Sequence, residues 1–214
     1  MGKDSKRQEI GQRIRKAFMG KLFLLMGKSA SGKDSIYDHL LNVSELGLEK
    51  LVLYTTRPKR AGELDGREYH FVNEETFLSF RESGRLIEDR AYETVQGLWR
   101  YFTADDGKID LQCHNYIAIG TLESYEKIRE YFGKDQVLPL YLEVEDGERL
   151  SRALLREKEQ KNPNYEELCR RFLADCRDFC EEKIAESEII VRFQNQDRTT
   201  CLEAIESYIR SVLY

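Results

Sequence analysis

Apolar residues recur along the chain in two rhythms. Short unbroken runs predict strands buried on both faces: Leu22-Phe23-Leu24-Leu25-Met26, Leu51-Val52-Leu53-Tyr54, Tyr116-Ile117-Ala118-Ile119, Val137-Leu138-Pro139-Leu140-Tyr141-Leu142 and Ile189-Ile190-Val191. Longer periodic stretches predict helices from Asp34 to about Leu46, Leu122 to Tyr131, Gly147 to Lys158, Tyr165 to Glu186 and over 197–213. Strands alternating with helices imply an α/β fold, a parallel sheet with right-handed crossovers. Residues 55–103 break the rhythm. They carry the strand-like run Glu68-Tyr69-His70-Phe71-Val72, a helix pattern from Glu74 to about Ser83, and Arg85-Leu86-Ile87-Glu88. This reads as an inserted α+β subdomain, closed by a polar stretch over 104–114 with a turn at Asp105-Asp106-Gly107. The polar segment Glu157 to Asn164 lies between two arginine-bearing helices and reads as a mobile lid.

One loop carries chemistry by itself. Gly27-Lys28-Ser29-Ala30-Ser31-Gly32-Lys33 sits between an apolar strand and a helix, the context of a phosphate-binding P-loop. Its glycines let backbone N–H groups turn inward around phosphate oxygens, and the helix N-terminus adds positive potential. Lys33 reaches the outer phosphates as a point charge. The motif ordinarily ends in a hydroxyl residue that binds Mg²⁺, but here Asp34 stands at that position and Ser35 follows. Two readings stay open. Asp34 is a metal ligand in place of the hydroxyl, since Mg²⁺ accepts one or two carboxylates beside substrate phosphates. Alternatively, Asp34 caps the helix and Ser35 supplies the hydroxyl after a local shift.

Composition narrows the partners. A length of 214 residues suits one α/β domain with inserted parts. A net charge of −5 without a strongly basic tract in the body of the chain disfavours nucleic acid as the main partner. No apolar run reaches membrane-spanning length and the start lacks a signal-peptide pattern, so no membrane partner and a cytoplasmic location are expected. The five cysteines include no C-x-x-C pair. Cys169, Cys176 and Cys180 share helical spacing with Leu168, Phe172, Leu173 and Phe179, and read as core residues or surface thiols rather than a metal or redox site. His39, His70 and His114 are scattered, and His70 reads as structural. Residues 1–20 are basic, with Ile10, Ile14 and Phe18 spaced as on a short amphipathic helix, and read as a leader docked loosely on the domain.

From Thr55 the chain runs Thr55-Thr56-Arg57-Pro58-Lys59-Arg60-Ala61-Gly62-Glu63-Leu64-Asp65-Gly66-Arg67-Glu68-Tyr69-His70-Phe71-Val72. This resembles the ordered T-T-R-x-x-R-x-G-E-x-x-G-x-x-Y-x-F-V pattern of guanylate kinases, at the family's distance from the P-loop. The resemblance spans roughly residues 20–210, is dense over 55–88 and thins after 104. It implies a core (21–54, 115–150, 173–214), a monophosphate-binding subdomain (55–114) and a helical lid (about 151–172). It implies that residues 27–35, that is Gly27, Lys28, Ser29, Ala30, Ser31, Gly32, Lys33, Asp34 and Ser35, hold ATP. It implies that Arg57, Arg60 and Tyr69 hold the phosphate of a nucleoside monophosphate, and that Glu88 reads the adjacent N–H donors of guanine. Thr103, with Tyr101 two residues before it, matches the hydroxyl that helps read the base. Arg152, Arg156 and Arg171 resemble the lid arginines that act with Lys33 on the transferring phosphoryl group.

Four positions depart from the family pattern. Asp34 replaces the P-loop hydroxyl, Leu53 replaces a serine that contacts the monophosphate, and Ala118 and Gly120 replace acidic residues after the third core strand. Asp34 is a candidate to restore the carboxylate missing at Ala118 or Gly120, from the opposite side of the magnesium. The expected activity is phosphorylation of GMP or dGMP by ATP with Mg²⁺, in a monomer or homodimer. Two rivals stand beside it: a related P-loop kinase acting on another phosphorylated acceptor such as a ribose bisphosphate, and a non-catalytic guanylate-kinase-like protein-binding module.

Overall fold

The computed structural model describes residues 19–60, 62–94 and 97–214; the segment of Ile10, Ile14 and Phe18 lies outside the described residues. In chain order the elements are β1 (Leu22–Met26), α1 (Lys33–Asn42), β2 (Leu48–Lys50), β3 (Tyr54–Thr55), β4 (His70–Phe71), α2 (Glu74–Glu82), β5 (Leu86–Thr94) and β6 (Gly97–Ala104). They continue with β7 (Asn115–Ile119), α3 (Leu122–Phe132), β8 (Val137–Glu143), α4 (Asp146–Lys158), α5 (Tyr165–Asp178), α6 (Glu181–Glu186), β9 (Arg192–Gln194) and α7 (Arg198–Leu213).

The core sheet has the order β2-β7-β1-β8-β9, and every pairing in it is parallel. All five β1 residues are buried because helices cover both faces. Leu22, Leu24 and Met26 face Tyr125 and Ile128 of α3 and Ile184 of α6. Phe23 and Leu25 face Ile36 and Leu40 of α1 and Leu202, Ile205 and Ile209 of α7. No helix among the described residues is long and apolar enough to cross a membrane.

The inserted part is a second sheet, β4-β3-β6-β5, against α2. The run 51–54 is not one strand of the core sheet, as its hydrophobicity predicted. The Leu51 N–H still donates to Ile117 of β7 at 3.0 Å, but the Leu53 carbonyl already accepts from His70 at 2.8 Å. The chain hands over from one sheet to the other within three residues. Phe102 anchors the second sheet. It is fully buried, stacks on Tyr54 at 5.1 Å and meets Phe77 edge-on at 5.2 Å. His70 packs on Tyr54 at 4.7 Å, the structural role expected of it.

Two other boundaries differ from the apolar pattern. The helix expected over 165–186 breaks after Asp178, because Phe179 leaves helical geometry (φ −120°, ψ 44°) to stack on Tyr141, and Cys180 begins α6. The last strand is Arg192–Gln194 rather than Ile189–Val191. Glu188 turns the chain with φ 57°, Ile189 is buried closing α6, and Ile190 is left 90% exposed. Pairing starts only where Arg192 comes level with Tyr141. The stretch 151–172 expected as a lid comprises most of α4, a connection over 159–164 and the first half of α5, and the Asn164 N–H donates back to Glu157 at 2.6 Å across that connection.

Phe102→Ala removes the ring that joins Tyr54, Phe77 and Phe80, and is expected to cost about 3–5 kcal/mol in urea unfolding. Loss of less than 1 kcal/mol would show that this cluster does not hold the second sheet together.

Candidate active site

The P-loop leaves the carboxyl end of β1 and enters α1. Three residues take left-handed backbone angles, Gly27 (φ 149°), Ala30 (φ 62°) and Gly32 (φ 91°). A β-carbon on Gly27 would lie 2.6 Å from the Leu142 carbonyl oxygen, and one on Gly32 would lie 2.5 Å from Asn195 Nδ2. The glycines are therefore set by close approach as well as by turn geometry. Asn195, just past β9, donates from its amide to the Ser31 carbonyl at 2.7 Å and from its backbone to the Glu143 carbonyl at 2.9 Å. It ties the loop to the end of β8. Lys33 Nζ donates to the Gly27 and Lys28 carbonyls at 2.6 and 2.9 Å. Burial pulls its pKa down to about 8.

Asp34 does not cap α1. Gly32 is the N-cap residue and no side chain bonds there. Asp34 is the second residue of the helix and is exposed. Ser35 is exposed beside it. Lys28 turns away from the loop to pair with Asp146 at 3.1 Å.

Arginine joins the loop to α4 and α5. Arg149, 1% exposed, lies over the Phe172 ring at 4.3 Å. It donates to the Ser29 carbonyl at 3.1 Å and to Asp146 at 2.8 Å, and stands 3.5 Å from Asp175 Oδ2. The same Asp175 oxygen accepts the Ser29 backbone N–H at 2.7 Å.

A cleft of 820 Å³ opens between the loop and the second sheet. Gly27, Ser29, Lys33 and Asp34 line one side of it; Arg60, Tyr69, Arg90, Tyr92, Trp99 and Tyr101 line the other; Arg171 and Asp175 of α5 face it as well. Arg152 and Arg156 fall elsewhere, in a hollow with Ala30, Gly32, Lys33, Asp34 and Ser35 on the α4 side. The three arginines thus line two separate hollows, each of which Lys33 also lines.

The remaining acceptor-side residues lie behind the cleft wall. Arg57 is buried, with two bonds to Glu63 at 3.0 and 2.8 Å, and its guanidinium sits 5.7 Å from the Tyr69 ring centre. That pairing, with the Arg60 backbone N–H, holds the Glu63 carboxyl down to about 2. Glu88 is buried and accepts the Thr103 hydroxyl at 2.8 Å through Oε1. Its Oε2 makes no hydrogen bond, although Arg90 Nε is 3.3 Å away. Burial raises the Glu88 pKa, opposed by Arg90 and Thr103.

The guanylate kinase family model matches residues 19–97, the P-loop and most of the second sheet. The chain is 28% identical to the guanylate kinase of Porphyromonas gingivalis (strain ATCC BAA-308 / W83) over 194 residues, 89% of this chain and 97% of that protein. Over most of its length the chain is therefore similar to a guanylate kinase. It is also 30% identical over 144 residues to guanylate kinase 2, chloroplastic/mitochondrial, of Oryza sativa subsp. japonica, a match covering 64% of this chain and 47% of that longer protein. A crystal structure of guanylate kinase from Anaplasma phagocytophilum shares the fold with a TM-score of 0.57 and 22% identity, over 90% of this chain and 86% of that one.

Leu53 lines the cleft. Ala118 is buried in β7 against α3. At Gly120 a β-carbon would meet Ser124 Oγ at 2.7 Å and Leu24 Cδ2 at 2.8 Å. Ser124 is held there by its capping box with Thr121, which leaves little room for a side chain at position 120. Asp34 opens on the same cleft as Gly120. Among the described residues no three His, Cys, Asp or Glu side chains cluster as a metal site. Cys113 and Cys169 are exposed and Cys201 is buried. Asp146, Asp175 and Asn195 have no local motif and escape a sequence reading. The one signal for Asn195 is its place just past a parallel strand, where α/β sheets bind ligands.

Two outcomes test this geometry. Gly120→Asp is expected to lower stability by about 1–3 kcal/mol through overpacking, seen as a lower urea midpoint. In the nucleotide-free protein Lys33 releases its proton at about 8, against 10.5 for an unperturbed lysine. Above pH 8 the unfolded chain therefore binds more protons, so this group makes stability rise with pH. The wild-type slope between pH 8 and 9.5 is expected to exceed that of Lys33→Met; equal slopes would refute the burial of this charge.

Proposed function

We propose that the protein transfers the γ-phosphoryl group of ATP to GMP or dGMP, giving ADP and GDP or dGDP. The carrying observation is the single cleft on which the P-loop and the Arg60–Tyr69 wall both open. Inward backbone donors and Lys33 suit a polyphosphate, and forked guanidinium groups with a phenol suit a dianionic phosphate. An acceptor phosphate oxygen attacks the γ-phosphorus in line, the bond to the ADP oxygen breaks, and no covalent enzyme intermediate forms.

Each side chain has a part in this reading. Arg60 and Tyr69 bind the acceptor phosphate directly, and Arg57, preset by Glu63, completes the grip. Glu88 keeps one carboxylate oxygen without a hydrogen bond, a place for the N–H edge of guanine, while Thr103 orients the other oxygen. Adenine lacks that pair of adjacent donors and would leave this oxygen with only its Arg90 ion pair. Tyr101 walls the acceptor side. Arg171 from α5 and Arg152 and Arg156 from α4 stabilise charge on the transferring group as the lid closes. Mg²⁺ supplies charge neutralisation between the phosphates when bound. Asp34, exposed on the cleft and free of any capping bond, is the side chain that would hold it, completed by phosphate oxygens and water.

An ADP-release assay with ATP, Mg²⁺ and GMP, dGMP, AMP, CMP, UMP or a ribose bisphosphate tests the reading. GMP or dGMP is expected to turn over fastest. Faster turnover of AMP or of the sugar would overturn the role of Glu88, and no turnover with any acceptor alongside tight peptide binding would favour a binding module. Arg60→Ala is expected to lower kcat/KM for GMP about 10–100-fold, the worth of a charge-assisted bond, with ATP affinity little changed. Equal loss for both substrates would remove Arg60 from the acceptor side.

A further inference from the structure

We infer that Asp175 occupies the donor-phosphate seat of the P-loop as an internal anion, and that ATP binds by displacing it. This rests on the reading of residues 27–33 as the ATP phosphate loop. The Ser29 N–H belongs to the inward-turned part of the loop, between the left-handed residues Gly27 and Ala30. Such a donor is what a P-loop offers to a phosphate oxygen. Here it is given to the carboxylate of Asp175 at 2.7 Å, the length of a charge-assisted bond. A phosphate oxygen and that carboxylate oxygen cannot share the position.

Three further observations fit an exchange of anions. Asp175 and Lys33 line the same cleft, and Lys33 Nζ is folded back on two carbonyls of its own loop instead of reaching outward. After burial, the charge of Asp175 is the largest influence on Lys33, acting to keep it protonated as a phosphate would. Arg149 stands 3.5 Å from the same Asp175 oxygen, so a partner is in place when the carboxylate leaves Ser29. Arg171 lies one helical turn before Asp175 on α5 and faces the same cleft. Withdrawal of Asp175 therefore moves the helix that carries Arg171, and donor binding becomes coupled to the placement of that arginine.

If the resting protein holds Asp175 in the seat most of the time, apparent ATP affinity is lowered by the vacant fraction. A merely structural staple between α5 and the loop would act in the opposite sense, since loosening it would weaken the ATP site.

The test is calorimetric titration of the full chain with Mg²⁺–ATP, comparing wild type, Asp175→Asn and Asp175→Ala. Hydrogen exchange of the Ser29 amide and thermal melts are recorded on the same nucleotide-free samples. Asparagine keeps the size and a carbonyl acceptor but removes the charge. Asp175→Asn is expected to bind ATP about tenfold more tightly, at unchanged GMP affinity, with faster exchange at Ser29; Asp175→Ala should shift ATP affinity in the same direction. Folded variants with unchanged or weaker ATP binding would overturn the inference and leave the kinase reading standing. Absence of ATP binding in all three folded proteins would overturn both.

Discussion

A loop that turns its backbone N–H groups inward at the head of a helix concentrates positive potential in a small space. The rest of this structure is arranged to hold that loop and to answer it with an anion. The parallel strands β1 and β8 deliver it to the carboxyl end of the sheet, where Gly27 passes within contact of Leu142. Asn195 holds it from the end of β9, and buried Arg149 holds it from α4. Each of these ties uses backbone oxygen atoms, which leaves the inner N–H groups for a negative ligand.

The second sheet forms the opposite wall of the cleft onto which this loop opens. Its aromatic core around Phe102 fixes β3 and β6, and so fixes the Arg57–Tyr69 segment that follows β3. The Arg57–Glu63 pair holds a guanidinium in a dry, fixed position. Glu88 and Thr103 face each other across β5 and β6, one bonded oxygen and one unbonded. The second oxygen makes no hydrogen bond and keeps only the 3.3 Å ion pair with Arg90.

Most of the architecture was legible because core strands and their helices are written in local periodicity. The runs at 22–26, 116–119 and 137–142 are strands, and the helices after each begin within a residue or two of their patterns. Where the pattern misled, tertiary pairing decided. Ile189-Ile190-Val191 is the more apolar run, yet Arg192–Gln194 is what comes level with β8. Leu51–Tyr54 is continuous in sequence but serves two sheets. The loop itself was legible, since its chemistry is contiguous. Asp175 and Asn195 were not, because residues 146 and 164 positions away along the chain reach the loop only through the packing of α5 and β9. Asp34 was half legible: its carboxylate was evident, but only the helix geometry shows that it caps nothing.

Two nucleotides in one cleft is the central claim, and a bisubstrate compound addresses it most directly. Adenosine and guanosine joined 5′ to 5′ through a chain of five phosphates would span the P-loop and the Arg60–Tyr69 wall together. Calorimetry should give one compound per chain, bound ~10²–10⁴-fold more tightly than ATP alone, because the second contact becomes intramolecular. Affinity no better than that of ATP, or two compounds per chain, would contradict a shared cleft.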